Sequence, residues 1–471
     1  MRSILFIIPI LLISVNLMFA DDDFKNDTIK SADKPAITLP QIYIRQIVIG
    51  GNDVTEEEII LRELTIKENS TLDPKELEEN IRRLYKLGLF NKVDVIPIPT
   101  DTVNKIDLMI LVEERFYILP IPQGGFRNGN FSNFWAGLNL TLNNFRGRNE
   151  NISLSFGIGY EPFVNLSYSV PWIGENAHFF SSTSIGYSKN YNRSLEKLND
   201  STSGTTASIL DDYSNFNFNA AYNIGKYFTP NFSVAAGMKY NIVHQSLYVP
   251  GRTLSLSGQD NFLTFSLQSN FETRNSLEYT MAGSYYSFEY IKFGFGKSFD
   301  FNKINLDARK FIPVKLSDKY SITLASRFSG TYSFGGTIPG YLNEFFGFDR
   351  IIRGYKNIVL EGENQTGLYN ELRIPVVDPF YIKGNDIPLA RGISLLNKLN
   401  YKFGLFATIF FDVGGVWNKN DDVFETRFYN GFGAGLNFIL PFGFVGRTDF
   451  AFRKENKRFI PQVVVDLDAS F

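Results

Sequence analysis

Arg353, Glu371 and Asp412 have the residue types to hold one another in a fixed geometry. Arg353 belongs to Arg353-Gly354-Tyr355, within the long connection Phe334–Glu363. Glu371 and Asp412 lie in segments that alternate apolar and polar residues. A guanidinium pairs bidentately with a carboxylate, so Arg353 could bind Asp412 or Glu371. Shielded from bulk water, such a pair costs about 3–5 kcal/mol to break by removing one partner. The plainer alternative from residue types alone is Arg353 as a solvated loop residue and Asp412 as one luminal charge among many; neither is bond-making chemistry. The sequence has no G-x-S-x-G elbow, no phosphate-binding G-x-x-x-x-G-K-[ST] and no zinc-ligand spacing. It has no Cys and two His, His178 and His244. Disulfides and thiolate sites are thereby excluded, and a Ser-His-Asp triad is disfavoured. No enzyme activity and no cofactor are expected. Gly431-Phe432-Gly433-Ala434-Gly435 is glycine-rich, but it alternates, and it reads as luminal packing.

The elements that must position these residues are strands. The 471 residues carry 47 basic and 49 acidic side chains, a net charge of −2, which gives no footprint for nucleic acid. Aromatic residues make up 15 %, with 46 Phe and 24 Tyr. From Tyr117 onward, apolar residues recur with period two, as in Ile152, Leu154, Phe156, Ile158 and Tyr160. In Tyr401–Val413 the same parity puts Asp412 on the face opposite Phe411, and Glu371 shares a face with Arg373. A soluble sandwich also alternates. Segments of about ten residues with aromatic ends fit a tilted strand crossing a bilayer. Sixteen such segments run from 117–126 to 460–471, an even number. The expected fold is therefore a membrane all-β protein, a 16-stranded transmembrane antiparallel barrel over 117–471. Asp378–Asn400 is left as a long periplasmic connection.

The N-terminus divides into three stretches. Residues 1–20 combine Arg2, a short apolar core and Ala20 before an acidic run, which reads as a signal peptide. Residues 21–40 read as a flexible linker. Residues 41–116 read as a small β-α-α-β-β domain. Its helix starts are expected at Thr55, as N-cap of a capping box with Glu58, and at Asp73-Pro74.

Several motifs now carry a resemblance. Ile47-x-Ile49-x-Gly51-Asn52, with Leu84-x-x-Leu87-Gly88-Leu89-Phe90-x-x-Val93, resembles a POTRA domain. Ile351-Ile352-Arg353-Gly354-Tyr355, Phe410-x-Asp412-x-Gly414 and Asn370-Glu371-Leu372-Arg373-Ile374-Pro375 are similar to motifs of the BamA/TamA-like outer-membrane assembly family, of bacterial surface antigen type. The resemblance implies a loop lock, Arg353, Gly354 and Tyr355, reaching into the lumen to Asp412. It also implies a bacterial outer-membrane location, with the N-terminal domain in the periplasm. The implied function is insertion of β-barrel clients, or translocation of polypeptide, without ATP. The alternatives are a two-partner secretion transporter and a passive porin. Expected partners are unfolded outer-membrane or secreted polypeptides, outer-membrane lipid and accessory periplasmic proteins or lipoproteins. Extended clients would pair with the POTRA sheet edge. Pro120, Pro122, Gly124 and Gly125 weaken the first strand, and Phe471 ends the last, so a weak seam is expected between them.

Overall fold

The computed structural model describes residues 41–126, 131–174, 178–191, 214–246, 252–296, 299–318, 320–347, 350–356, 358–388, 400–441 and 444–466. The expected signal peptide, the linker at 21–40 and Phe471 lie outside the described residues. The chain groups into two compact units. One carries the N-terminal domain and the strands through Lys189, with Phe218–Lys226; the other carries the chain from Tyr227.

In the first unit, β1 (Tyr43–Gly50), α1 (Glu57–Leu61), α2 (Pro74–Lys86), β2 (Phe90–Pro99) and β3 (Lys105–Glu114) follow the expected order. The sheet order is β1-β3-β2, with β1 parallel and β2 antiparallel to β3. The Asp73 carboxylate accepts the Lys75 N–H at 2.9 Å, and Pro74 fills the first turn of α2. Ile59, Ile60, Leu84, Phe90, Ile110 and Val112 form the core beneath the helices.

Thr55 corrects an expectation. Glu56 occupies the N-cap position of α1, with no side-chain cap. Thr55 is buried and faces the other way. Its hydroxyl donates to the Glu114 carboxylate at 2.5 Å and accepts from the Asn144 amide at 2.9 Å. The Tyr117 hydroxyl lies 3.1 Å from it. The Glu56 N–H donates to the Gly147 carbonyl at 2.9 Å. The Thr55 hydroxyl here joins the Glu114 carboxylate, which also accepts the Val54 and Thr55 N–H groups, to the Asn144 amide of the β5–β6 turn. Gly147 has φ +71°, and a Cβ there would overlap the Val54 carbonyl oxygen. Burial pushes the Tyr117 phenol up to about 12, so it stays a neutral hydroxyl in this joint.

Sixteen strands then form one antiparallel sheet. They are β4 (Ile118–Phe126), β5 (Phe134–Phe145), β6 (Glu150–Gly159), β7 (Phe163–Ile173), β8 (Phe179–Tyr191), β9 (Ser214–Thr229), β10 (Phe232–Gln245), β11 (Gln259–Glu272), β12 (Gly283–Phe293), β13 (Phe301–Ser317), β14 (Tyr320–Gly335), β17 (Asn364–Lys383), β18 (Asn400–Trp417), β19 (Tyr429–Ile439), β20 (Val445–Glu455) and β21 (Arg458–Asp466). A small separate hairpin, β15 (Glu344–Phe346) with β16 (Leu360–Gly362), lies in the connection between β14 and β17.

Burial along these strands is inverted relative to a soluble sandwich. Ile409 is 56 % exposed while its neighbours Thr408 and Phe410 are buried. Leu166, Ile185, Leu267, Phe450 and Val463 are exposed, whereas Lys303, Ser333, Arg373 and Asp449 are buried. A greasy outer face around a polar interior is stable only where hydrocarbon replaces water. The sixteen-stranded membrane barrel is therefore the observed fold class.

The connection expected over Asp378–Asn400 is shorter than the sequence suggests. β17 and β18 stay paired as far as Lys383↔Asn400. Irregularities at Pro375/Val377 and Val377/Phe380 shift the side-chain parity, so alternation is lost while pairing continues. Residues 389–399 lie outside the described residues.

Thr55→Val is expected to loosen the joint between the N-terminal domain and the β5–β6 turn, costing about 1–3 kcal/mol through unsatisfied partners. Protease sensitivity of α1 in the liposome-embedded protein reads this directly. An unchanged cleavage rate would count against the joint.

Candidate functional site: a loop lock inside the barrel

The connection between β14 and β17 buries its own apolar residues. Phe346, Ile352, Tyr355 and Leu360 pack with Phe311, Ala325 and Tyr369, which belong to the barrel wall. That packing delivers Arg353 to the wall with 1 % of its side chain exposed.

Strand register decides what it meets there. On β18, Asp412 lies between Tyr369 on β17 and Gly431 on β19. One inward step along, Phe410 lies between Glu371 and Gly433. Arg353 Nε and Nη2 donate to the two Asp412 oxygens, each at 2.6 Å, and its backbone N–H donates to Oδ2 at 3.1 Å. Nη1 donates to Glu371 Oε1 at 2.5 Å. The guanidinium carbon sits 3.7 Å above the Phe410 ring centroid. Both candidate partners thus bind the same arginine, one at each side of its fork, with an aromatic face beneath.

The charges continue outward from this centre. Glu371 accepts from Arg373 Nε at 3.0 Å, and Arg373 Nη1 donates to the Thr280 carbonyl at 2.6 Å. Arg373 stacks over Tyr279. Asp449 on β20 is fully buried and lies 3.2 Å from Arg447. Three arginines and three carboxylates therefore share this part of the lumen. Arg373 was visible in the sequence as sharing a face with Glu371. Asp449 and Arg447 were visible only as one side of an alternating strand.

The glycine-rich segment is the cradle for this cluster. A Cβ at Gly431 would overlap the Arg353 carbonyl oxygen. At Gly433 it would press on the Phe410 ring and the Phe450 carbonyl, and at Gly435 on the Asp449 carboxylate. Gly414 leaves room for Ile352 and Phe346 in the same way. Gly354 has φ +94°, a conformation most side chains resist. Its carbonyl accepts from Arg453 Nη1 at 2.9 Å. Tyr355 meets Tyr429 edge-on with ring centroids 5.3 Å apart.

Pro120, Pro122, Gly124 and Gly125 are placed elsewhere, in β4 at one end of the sheet's strand order. β4 pairs with β5 from Ile118↔Leu142 to Phe126↔Phe134. The Asn143 N–H donates to the Tyr117 carbonyl at 2.8 Å. Alternation from that bond makes 119, 121 and 123 the positions bonded to β5, and turns 118, 120, 122 and 124 away from it. Both prolines therefore fall where a missing N–H costs β5 nothing and strips the strand's outer edge of two donors.

Residues 144–460 match the model of the Omp85 superfamily domain, and residues 42–115 match the POTRA model described as surface antigen variable number repeat. An "Outer membrane protein assembly factor BamA" of Neorickettsia risticii is 22 % identical over 430 residues, covering 88 % of this chain and 53 % of that protein. An "Outer envelope protein 80, chloroplastic" of Oryza sativa is 30 % identical over 134 residues, covering 26 % of this chain and 19 % of that protein. The chain spans about half the length of the first of these relatives and a smaller part of the second. Among solved structures, BamA from Haemophilus ducreyi lacking POTRA domains 1–3 superposes with a TM-score of 0.58 at 18 % identity, covering 90 % of this chain and 83 % of that one. CdiB from Acinetobacter baumannii gives 0.56 at 15 % identity, covering 91 % and 74 %.

Arg353→Ala is expected to destabilise the loop by about 3–5 kcal/mol, since it leaves Asp412 buried without its cation and Glu371 with Arg373 alone. Heat-modifiable gel mobility across a temperature series reads the loss. Gly431→Ala should cost about 1–3 kcal/mol by the same readout, because the loop backbone occupies the added volume. A wild-type melting profile in both variants would show that the loop does not hold the barrel.

Proposed function

The chain belongs to the Omp85 superfamily, and from that membership we propose that it folds and inserts β-barrel polypeptides into the outer membrane without a nucleotide. It is an outer-membrane barrel with its N-terminal domain in the periplasm. The domain division we propose is a POTRA module over 41–116 and the barrel over 117–471. Free energy would come from the client itself, as its strands pair and its apolar face leaves water for lipid. The protein's part is to lower the barrier by presenting a strand edge. No bond-making step is involved in this reading.

The observation that carries the reading is the outward edge of β4. A strand whose outer donors are partly replaced by proline closes weakly and opens at low cost. The lock of Arg353, Gly354 and Tyr355 on Asp412, Glu371, Phe410 and Gly414 would hold the loop fixed inside its own part of the barrel.

Peptide pairing by the N-terminal domain is restricted by its own edges. β1 already receives Ser70, Asn69 and Glu68 along its first half. On β2 the Val93 N–H is taken by the Tyr85 hydroxyl at 3.0 Å, and alternation puts Pro97 and Pro99 at the next outward positions but one and two. The end of β1 near Ile49 is the stretch best suited to an extended client. Accessory periplasmic proteins or lipoproteins would contact the exposed surface of this domain.

A second reading, export of one dedicated polypeptide in two-partner fashion, is favoured by the likeness to CdiB in fold. Reconstitution in liposomes separates the two. An unfolded barrel client supplied outside should become heat-modifiable under the first reading and should pass into the vesicle lumen under the second.

The double variant Pro120→Val, Pro122→Val restores two outward donors and should slow client insertion about tenfold, given roughly 0.5–1.5 kcal/mol per hydrogen bond. Insertion at the parental rate by the folded variant would remove the edge mechanism.

A further inference from the structure

The turn between β20 and β21 fixes which backbone groups of the last strand face outward. Asn456 and Lys457 have φ +45° and +66°, the two-residue turn that tightly closes a hairpin. Glu455↔Arg458 is therefore a hydrogen-bonded pair, and 460, 462, 464 and 466 likewise face β20. Residues 459, 461, 463 and 465 turn their N–H and C=O groups away. Pro461 obeys this parity, since its missing donor falls on the outward side.

The luminal loop reaches that outward row. The Lys356 N–H donates to the Gln462 side-chain oxygen at 3.0 Å, and the Gln462 amide donates back to the Lys356 carbonyl at 2.9 Å. The Lys356 ammonium then donates to the Val465 carbonyl at 2.8 Å, with Asp466 3.9 Å away. Val465 is one of the outward positions. A residue three places beyond Arg353 thus holds a backbone acceptor that a partner strand would use.

We propose that Lys356 is a positioning residue that ties the loop to the outward edge of β21, so that an extended polypeptide pairing there must displace it. The partner is a single strand of alternating apolar residues, matching the exposed faces of Phe459, Val463 and Val465. The inference deepens the proposed function and rests on it for its biological use. Its geometry does not. With Lys356 in place, a strand can bond along 459–463 and is refused at 465. When the loop withdraws, the ladder extends by one acceptor. Loop position and strand capture then oppose each other directly, through one ammonium.

The chain has no Cys, so a single Val463→Cys reports on this edge. The probe is a synthetic peptide copying residues 458–471, itself carrying Val463→Cys. Paired residues stand with Cβ atoms about 4.5–5.5 Å apart, close enough for a disulfide to form under mild oxidation. The full chain is placed in liposomes, and the mixed-disulfide yield is measured. Lys356→Met should raise the yield about two- to tenfold, the range of one net hydrogen bond. Lys356→Arg, which keeps a cationic donor, should stay near the parent. Equal yields in parent and Lys356→Met overturn the proposal, as does a rise in Lys356→Arg matching that in Lys356→Met. Heat-modifiable mobility confirms that each variant is folded. Should the parent fail to insert any client while Lys356→Met still raises the yield, the assembly reading falls and the clasp stands.

Discussion

A guanidinium removed from water is tolerable only where its donors meet acceptors and its charge meets opposite charge. Arg353 satisfies this on three sides: Asp412 with two oxygens, Glu371 with one and the face of Phe410 below. That arrangement cannot be assembled locally. It requires the loop to fold inward, β17 and β18 to hold one register, and β19 to be flat enough to admit a second backbone. The interior of the second unit is organised around those three requirements.

Register is the most exacting of them. A slip of one residue between β17 and β18 would turn Glu371 and Asp412 to opposite faces. The glycines of β19 answer the third requirement, because each stands beside one bulky member of the cluster. Gly431 faces the Arg353 backbone, Gly433 the Phe410 ring and Gly435 the Asp449 carboxylate. What the sequence shows as a glycine-rich stretch is thus a row of spaces in step with a row of side chains on the neighbouring strands. Removing a methyl group from a strand ordinarily weakens it. Here the loss is offset by a buried ionic cluster that could not otherwise close.

The two strands at the ends of the sheet obey the opposite economy. β4 and β21 carry their prolines at positions that spare the neighbouring ladder and impoverish the outer edge. The same chain therefore combines a buried, fully paired Arg353 with end strands whose outward rows lack donors at their prolines. Lys356, three residues from Arg353, connects the loop to an edge.

The period-two pattern by itself determined the sixteen strands, their inside-out polarity and the inward direction of Asp412, Glu371 and Arg373, because these depend only on alternation along one segment. The helix spacing and the Asp73-Pro74 start determined α2 for the same reason. Sequence left Arg353 with two possible partners, and the fold gave it both. It read Thr55 as a helix cap, whereas Glu114 and Asn144, remote in the chain, compete for its hydroxyl and win. It lost β17 after Val377, where irregularities break the alternation without breaking the ladder. It gave no sign that Asp449 and Arg447 join the lock, or that Lys356 reaches Val465. Each of these was decided by register and loop closure between residues many positions apart, and a local pattern carries no record of which distant neighbour will stand opposite.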